Sequence, residues 1–563
     1  MMNRYIVFGV AIALTTVVGL GAKAQAPSDA YRNAQKELSG TARAQALSGA
    51  IGAFGADASA ISINPAGIGL YTSPIMSFSF EAGQGKANSI WTNEGNSFTT
   101  SDKWAIGTIN NFSISSPLLK RSAGLAWNVN WGFTYNRDYD YRRNYRMINS
   151  APAYGLTDHI AFEASRIEAP WDTEFITPII DIARDARWIE AFTDNKNTAL
   201  KKARRYRTQF SASAIGHKPE DGVYHLFTPA ASKLSVNESG SRNNYDLNLG
   251  MGLSDRYYFG ATLKMQNFSS SRVATYIEDF HDSYNNQVYK SNLEYTTGLS
   301  TSGNSVGLNL GALVAIGDFG RIGISYLLPQ LAQYNEVYWA KASGNNAAFQ
   351  GNENVTKTIS EQESSYRALL PGRLSISALA FFGRFGFITY DYQLRNLGGS
   401  KLYLPNNGNE LSESAFIRED FGIEHSHHVG VEIRPISMLS VRAGYSFTGN
   451  PMKAEQLRNE PSEGLYYSYV PSGYITDFVL PRSYQTISAG VGINLGRSTT
   501  LDVAYVYGKR SEKVYPYSGS SATGMLVDDT NGKEVRKDVH MAVKGGDLTT
   551  NKHKVVATLS FRF

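Results

Sequence analysis

Three observations in this 563-residue chain predict an all-β fold, a transmembrane antiparallel β-barrel of fourteen strands. Many segments alternate large apolar and small polar residues with a period of two, the signature of a strand with two unlike faces. Tight and long connections between those segments alternate along the whole chain. The last segment ends the chain on Phe563, two residues after Phe561.

Composition narrows the field further. The length fits three or four ordinary domains or one large all-β unit. There are 52 Gly, 34 Tyr, 27 Phe and no Cys, and only 18% of residues are charged. The absence of Cys excludes disulfide frameworks, thiolate-bound zinc, iron–sulfur clusters, thiol catalysis and a lipidated N-terminal Cys. Net charge is +5 with the signs interspersed, so no basic block points to nucleic acid. Beyond residue 22 no stretch supplies the ~20 apolar residues of a spanning helix.

The chain opens with an export signal over residues 1–24. Arg4 supplies the positive start, Ile6 to Ala22 the apolar core, and Ala22-Lys23-Ala24 the small residues that place cleavage before Gln25. The mature protein is therefore expected outside the cytoplasm, in the outer membrane of a Gram-negative type envelope.

Residues 76–563 carry the strands. In the stretch Leu125–Tyr135, Leu125, Trp127, Val129, Trp131, Phe133 and Tyr135 share one face, and Ala126, Asn128, Asn130, Gly132 and Thr134 the other. Aromatics at both ends of the apolar face and a Asn/Gly/Thr-rich opposite face fit lipid outside and a wet or plugged lumen inside. The same pattern recurs at Tyr245–Leu253, Tyr257–Met265 and Leu439–Phe447. Strands are expected near 76–82, 106–116, 122–136, 242–253, 256–268, 304–316, 320–328, 372–382, 385–395, 427–434, 438–448, 485–495, 499–508 and 553–563.

Six connections read as tight turns, near Leu118-Leu119-Lys120, Ser254-Asp255, Gly317-Asp318-Phe319, Gly383-Arg384, Pro435-Ile436-Ser437 and Gly496-Arg497-Ser498. Short turns at one end and long loops at the other are the habit of outer-membrane barrels, and place both termini on the periplasmic side. Closure follows from the solvent: each unpaired backbone group in hydrocarbon costs several kcal/mol. Fourteen strands enclose more space than their side chains fill, so something must occupy or conduct through the lumen. Phe561 and Phe563 read as the insertion signal of the final strand, addressed to the barrel-assembly machinery.

Residues 25–75 are rich in small residues: Ser39-Gly40-Thr41-Ala42-Arg43-Ala44-Gln45-Ala46-Leu47-Ser48-Gly49-Ala50, then Asp57-Ala58-Ser59-Ala60 and Asn64-Pro65-Ala66-Gly67. Small side chains let a backbone pack in a confined space, and Pro65 biases Asn64 away from helix. Asn64 can bond local backbone left open by the turn. The reading is a folded plug inside the barrel.

These stretches resemble the hatch of long-chain fatty-acid transporters of the FadL/TodX type. Gly320–Tyr326, Leu370–Ser375 and Leu439–Tyr445 are similar to that family's barrel. The resemblance covers residues 40–563. It implies a fourteen-stranded barrel, a hatch built on Asn64, Pro65, Ala66 and Gly67, and passive uptake of hydrophobic small molecules such as long-chain fatty acids, released sideways through the wall. It implies neither TonB nor ATP, no cofactor and no enzymatic activity.

Residues 137–241 form a long external connection that departs from the family. Phe175, Ile179, Ile182, Ala186 and Ile189 recur at helical spacing, a face that reads either as a lid at the mouth holding a greasy ligand, with Phe175, Ile179 and Ile182 as candidate contacts, or as a self-packed cap. A basic run, Lys201, Lys202, Arg204, Arg205 and Arg207, follows it, read as a face turned to solvent or lipopolysaccharide phosphates. By strand parity Lys264, Arg434 and Arg442 face the lumen and are candidate partners for a carboxylate, with Arg434 and Arg442 read first as a charge ladder with Glu432. His425, His427 and His428, beside Glu424, read as loop histidines without a metal, since a strand's two faces do not converge ligands. Gly490-Val491-Gly492 lacks the strand–turn–helix context of a phosphate loop. The competing readings are an open general porin and a structural, adhesive or haem-binding barrel.

Overall fold

A computed structural model describes residues 27–55, 57–93, 96–119, 127–150, 152, 154–166, 178–192, 205–208, 228–284, 287–345, 354–453, 475–496, 498–528, 534–541 and 543–563. Residues 1–24, where the export signal is expected, lie outside them, as do Phe175, Lys201, Lys202 and Arg204. Eighteen strand segments share one antiparallel sheet. Four staves are each interrupted once, which leaves fourteen, and the last pairs with the first from Ile75↔Arg562 to Ile90↔Asp547. The sheet has no edge.

The staves are β1 (Ile75–Asn93), β2 (Asn96–Leu119), β3 (Trp127–Asp140, continued by Arg143–Ser150), β4 (Thr228–Leu253), β5 (Tyr257–Tyr284), β6 (Gln287–Ile316) and β7 (Gly320–Leu327, continued by Gln330–Asn345). They continue with β8 (Asn354–Leu370, then Arg373–Phe381), β9 (Gly386–Asn396, then Lys401–Tyr403), β10 (Ile423–Ile436), β11 (Leu439–Thr448), β12 (Phe478–Asn494), β13 (Thr499–Tyr515) and β14 (Gly546–Arg562). The breaks in β7 and β8 fall at Pro329 and Pro371, residues that cannot donate to a ladder. Tight turns close one end. Ser254 and Asp255 both take positive φ (55° and 52°), the mirror-type hairpin turn that matches strand twist.

Each of the fourteen strands expected from sequence falls on one stave, but the connections differ. The links expected to be long between β1 and β2 and between β5 and β6 are mostly strand: β1 runs to Asn93 and β2 starts at Asn96, and β5 runs to Tyr284 with β6 starting at Gln287. Above the lipid-facing band the outward face turns polar (Lys86, Asn88, Ser101, Lys103) while Ala87, Trp91, Tyr276, Phe280 and Leu293 turn inward, so the apolar-out, polar-in alternation ends while the ladder continues. Residues 137–140, 143–150 and 228–241 are likewise strand rather than loop. Within the long connection, the helix Pro178–Asp185 buries Ile182 and half-buries Ile179, and the chain turns at Arg187, whose φ is +56°. Ile189 begins a short strand instead of extending the helix.

The outer face carries a continuous apolar band. Leu249 is 58% exposed, Ile324 50% and Tyr445 45%, values fit for lipid and not for water. Residues of opposite parity, such as Asn130, Thr134, Asp246 and Thr262, point into the lumen and are buried there.

What buries them is the chain's own N-terminal segment. Helix α1 (Pro27–Ala34), helix α2 (Ala42–Ala46) and the 3₁₀ turns Ala58–Ser62 and Pro65–Leu70 lie inside the barrel. Short polar side chains cap them: the Ala44 N–H donates to Thr41 Oγ1, Ser59 N–H to Asp57 Oδ1, and Ala66 N–H to Asn64 Oδ1. Such caps stabilise turns too short to hold by helix propensity alone. The wall meets this backbone at glycines. A Cβ on Gly260 would lie 2.4 Å from Pro65, and one on Gly444 2.5 Å from Leu47.

Candidate functional site

The lumen is layered along the barrel axis, and each layer has its own chemistry. Nearest the tight turns, Arg43 of α2 donates through Nε and Nη2 to Glu432 at 2.9 and 2.8 Å. The same carboxylate, fully buried, accepts from Arg434 and from Arg442, each at 2.7 Å. Arg442 also reaches Asp502 at 2.6 Å. Arg43 stacks over Phe54, 4.2 Å from the ring centre. One wall carboxylate thus ties the inner segment to β10 and β11, and the three guanidiniums around it share two acids. Glu432→Gln leaves those cations in place and removes their common partner. Breaking a buried pair from one side costs on the order of 3–5 kcal/mol, so the variant barrel should unfold at a clearly lower temperature in heat-modifiability gels and should lose protease protection at Arg43 first.

Asn64 fastens the next contact. Its Oδ1 caps Ala66, and its Nδ2 donates to Gly52 O (3.0 Å) and to Ala312 O of β6 (3.2 Å). Asn130 Nδ2 donates to Ile68 O and Tyr71 O, and Gly52 N–H donates to Asp391 Oδ2 at 2.9 Å. Arg373 Nη2 donates to Ser62 O at 3.0 Å. Backbone groups that no helix satisfies are met by the wall, as burial demands.

Above this lies a cavity of about 150 Å³, lined mainly by polar side chains including Lys36, Lys264, Arg373, Arg395, Glu424 and Arg510. Two of these five cations pair with acids, Lys264 with Asp246 (3.0 Å) and Arg395 with Glu424 (2.7 Å), and Arg510 donates to Lys36 O at 2.8 Å. Lys36 makes no side-chain bond among the described residues, and Arg373, which donates to Ser62 O through Nη2, keeps a buried Nε without an acceptor. Burial, and then the neighbouring Arg373 charge, hold the Lys36 amine well below its usual range.

The upper lumen is apolar and aromatic, packed with Tyr31, Tyr139, Tyr141, Phe268, Tyr334 and Tyr366 among others. Tyr31 of α1 stacks on Phe421, and Tyr141 meets Phe268 edge-on at 5.4 Å.

The wall itself has a seam. β2 and β3 pair only from Asn111↔Asn136 to Leu119↔Val129. Beyond Asn136, β3 and its continuation stay with β4, while β2 from Asn96 to Asn110 stays with β1 alone. The continuation bends inward over the β1–β2 hairpin: Ser89 and Thr100 hydroxyls donate to Arg146 O, and Arg146 pairs with Asp102 at 2.9 Å. Arg137 Nη1 spans the seam to Thr108 at 2.7 Å. The seam starts at band height, where Ile109 is 49% exposed.

The site residues expected from sequence land as follows. Asn64, Pro65, Ala66 and Gly67 are all buried at the wall contact. Lys264, Arg434 and Arg442 face inward, but each is ion-paired and none is a free partner for a carboxylate. Ile179 and Ile182 belong to the helix Pro178–Asp185; neither lines the cavity, and both pack with the apolar cluster of the upper lumen. The three histidines are strand residues of β10, not loop residues. His425 and His427 point outward and bond Tyr392 and Tyr390, while His428 points inward to Ser48 O. Phe561 lies at the end of β14, and Phe563, exposed, follows the strand and donates its N–H to Pro74 O at 3.1 Å. Sequence reasoning missed Lys36, Arg373 and the seam. The seam's one signal is the charge-rich run Arg137, Asp138, Asp140, Arg142 and Arg143, which follows a cleanly alternating strand.

Together these features define a transmembrane β-barrel whose lumen is filled by its own leading segment and whose wall parts between two staves. Among solved structures the chain overlaps a Pseudomonas aeruginosa FadL homologue at 10% identity and a TM-score of 0.47, covering 94% of this chain and 99% of that one. It overlaps the CymD monoaromatic hydrocarbon channel at 9% identity and 0.42 (93% and 98% covered), and the Ralstonia pickettii toluene transporter TbuX at 11% and 0.38 (94% and 99%). All three scores lie below 0.5, too low to carry more than the overlap itself. No family model and no curated protein sequence matches the chain.

Proposed function

We propose that this protein is a passive outer-membrane transporter of the FadL/TodX type, which takes up hydrophobic small molecules past a plug and releases them sideways through the wall. The observation that carries the reading is the seam between β2 and β3 in a barrel that is otherwise closed. Unpaired backbone at membrane height is costly, and is tolerated where it lines a cavity or path. An opening into the bilayer suits a solute that prefers lipid to water; an open porin has no use for one.

The layers fit such a path. The aromatic upper lumen offers capture, and residues 25–75 act as the plug that denies a straight aqueous route. The polar cavity is too small for a long aliphatic chain, but the Lys36 amine and the Arg373 guanidinium offer an acid head group two basic groups that no carboxylate pairs with among the described residues. The cargo is thus a hydrophobe carrying a carboxylate, of which a long-chain fatty acid is the simplest case. Labelled oleate should enter proteoliposomes faster with the protein than without it. The double variant Lys36→Met, Arg373→Met should slow oleate while leaving toluene uptake unchanged; equal slowing of both, or no slowing, contradicts the head-group assignment.

A further inference from the structure

On the outer face, one row of the ladder brings three lysines together. Lys509 of β13 is in register with Asn551 of β14, Asn551 with Lys86 of β1, and Lys86 with Lys103 of β2. All four positions have outward parity, shared with exposed Tyr505, Val555, Ile90 and Ile109 on the same staves. Adjacent strands lie about 4.8 Å apart, so the three ammonium groups fall within a patch a few strands wide.

Each lysine is the first cation beyond its stave's apolar band. On β13 the band is Leu501, Val503, Tyr505 and Tyr507; on β1 it is Met76, Phe78, Phe80 and Ala82; on β2 it ends at Ala105. Just on the membrane side, Tyr505 bonds His553 Nδ1 at 2.7 Å and Tyr507 donates to Asn551 at 2.7 Å, a polar-tipped aromatic girdle of the kind found at a lipid–water boundary. None of the three lysines has a hydrogen-bond or ion-pair partner among the described residues. Their outward neighbours, Gln84, Asn88, Ser101, Thr549, His553 and Ser511, include no acid. Like charges directly opposite on neighbouring strands destabilise a sheet, and Lys86 and Lys103 are directly opposite. An anion seated between them removes that repulsion.

We propose that Lys86, Lys103 and Lys509 form a docking surface for the phosphate groups of the phosphorylated glycolipid in the outer leaflet. The surface rests on the barrel standing in an outer membrane, and is independent of what passes through the lumen. Phosphates at that depth meet cations at the band edge, where each basic residue strengthens attraction to an anionic lipid surface.

The test uses the full-length protein in neutral detergent, loaded with lipopolysaccharide and passed through a sizing column. Wild type should retain the lipid, and K86Q/K103Q/K509Q should retain about tenfold less. The control K290Q/K341Q/K401Q, which removes three lysines from other staves, should match wild type, and K86R/K103R/K509R should restore retention. Unchanged heat-modifiable migration and unchanged oleate uptake identify variants that fold and transport. Equal retention by wild type and the glutamine variant overturns the proposal. So does equal retention of phosphatidylcholine, or displacement of the glycolipid by millimolar inorganic phosphate, which would mark a site for the free ion.

Discussion

A barrel lacking residues 40–70 should conduct small ions in a planar bilayer where the intact protein conducts few. Those residues carry α2, both 3₁₀ turns and the contacts through Arg43, Gly52, Asn64 and Ile68. Their removal exposes a lumen lined by Asn130, Thr134, Asp246, Asn248 and Thr262, polar side chains that water wets readily. Fourteen staves enclose more space than these side chains fill. The expected change is from occasional small events to steady open steps, and unchanged conductance would show that the segment does not block the lumen. Insertion should survive, because the hydrogen-bonded ladder closes without the segment.

A clip across the seam should abolish uptake while leaving the fold intact. Thr108 and Arg137 face each other across it, 2.7 Å apart through Arg137 Nη1. With no natural Cys in the chain, Thr108→Cys and Arg137→Cys react alone with a short bifunctional thiol reagent. Joined, the two staves cannot part, and labelled oleate should stop crossing. Either single variant, treated identically, should still transport, which separates loss of the path from loss of an arginine. Transport through the clipped barrel would place the exit elsewhere.

The barrel was largely legible in the sequence because the bilayer imposes two constraints at once. Apolar residues must face out and small polar ones in, so stretches such as Leu439–Phe447 show both faces. The seam was less legible. Strand reading ends the third strand at residue 136, where charges break the alternation, and Asn136 is the residue at which β3 leaves β2. The strand itself resumes and runs to Ser150 with Tyr145 and Met147 in the aromatic lumen and Asn144 and Arg146 on its other face, so the end of the pattern marked a change of surroundings and not an end of structure. The cavity was illegible for a different reason. Lys36 and Arg373 are 337 positions apart in the numbering, and only closure of the barrel around the N-terminal segment brings them to one space. Parity alone singled out Lys264, Arg434 and Arg442 without showing that Asp246 and Glu432 already answer them.

Cargo that leaves through the wall needs no open axis, so the lumen should stay shut to ions during uptake. Ion current and hydrophobe flux recorded together across one protein-bearing bilayer test it most directly. Oleate flux should rise with the number of inserted barrels while ion current stays at the baseline. Current that rises in proportion to flux would contradict it, because cargo and ions would then share an open axial channel.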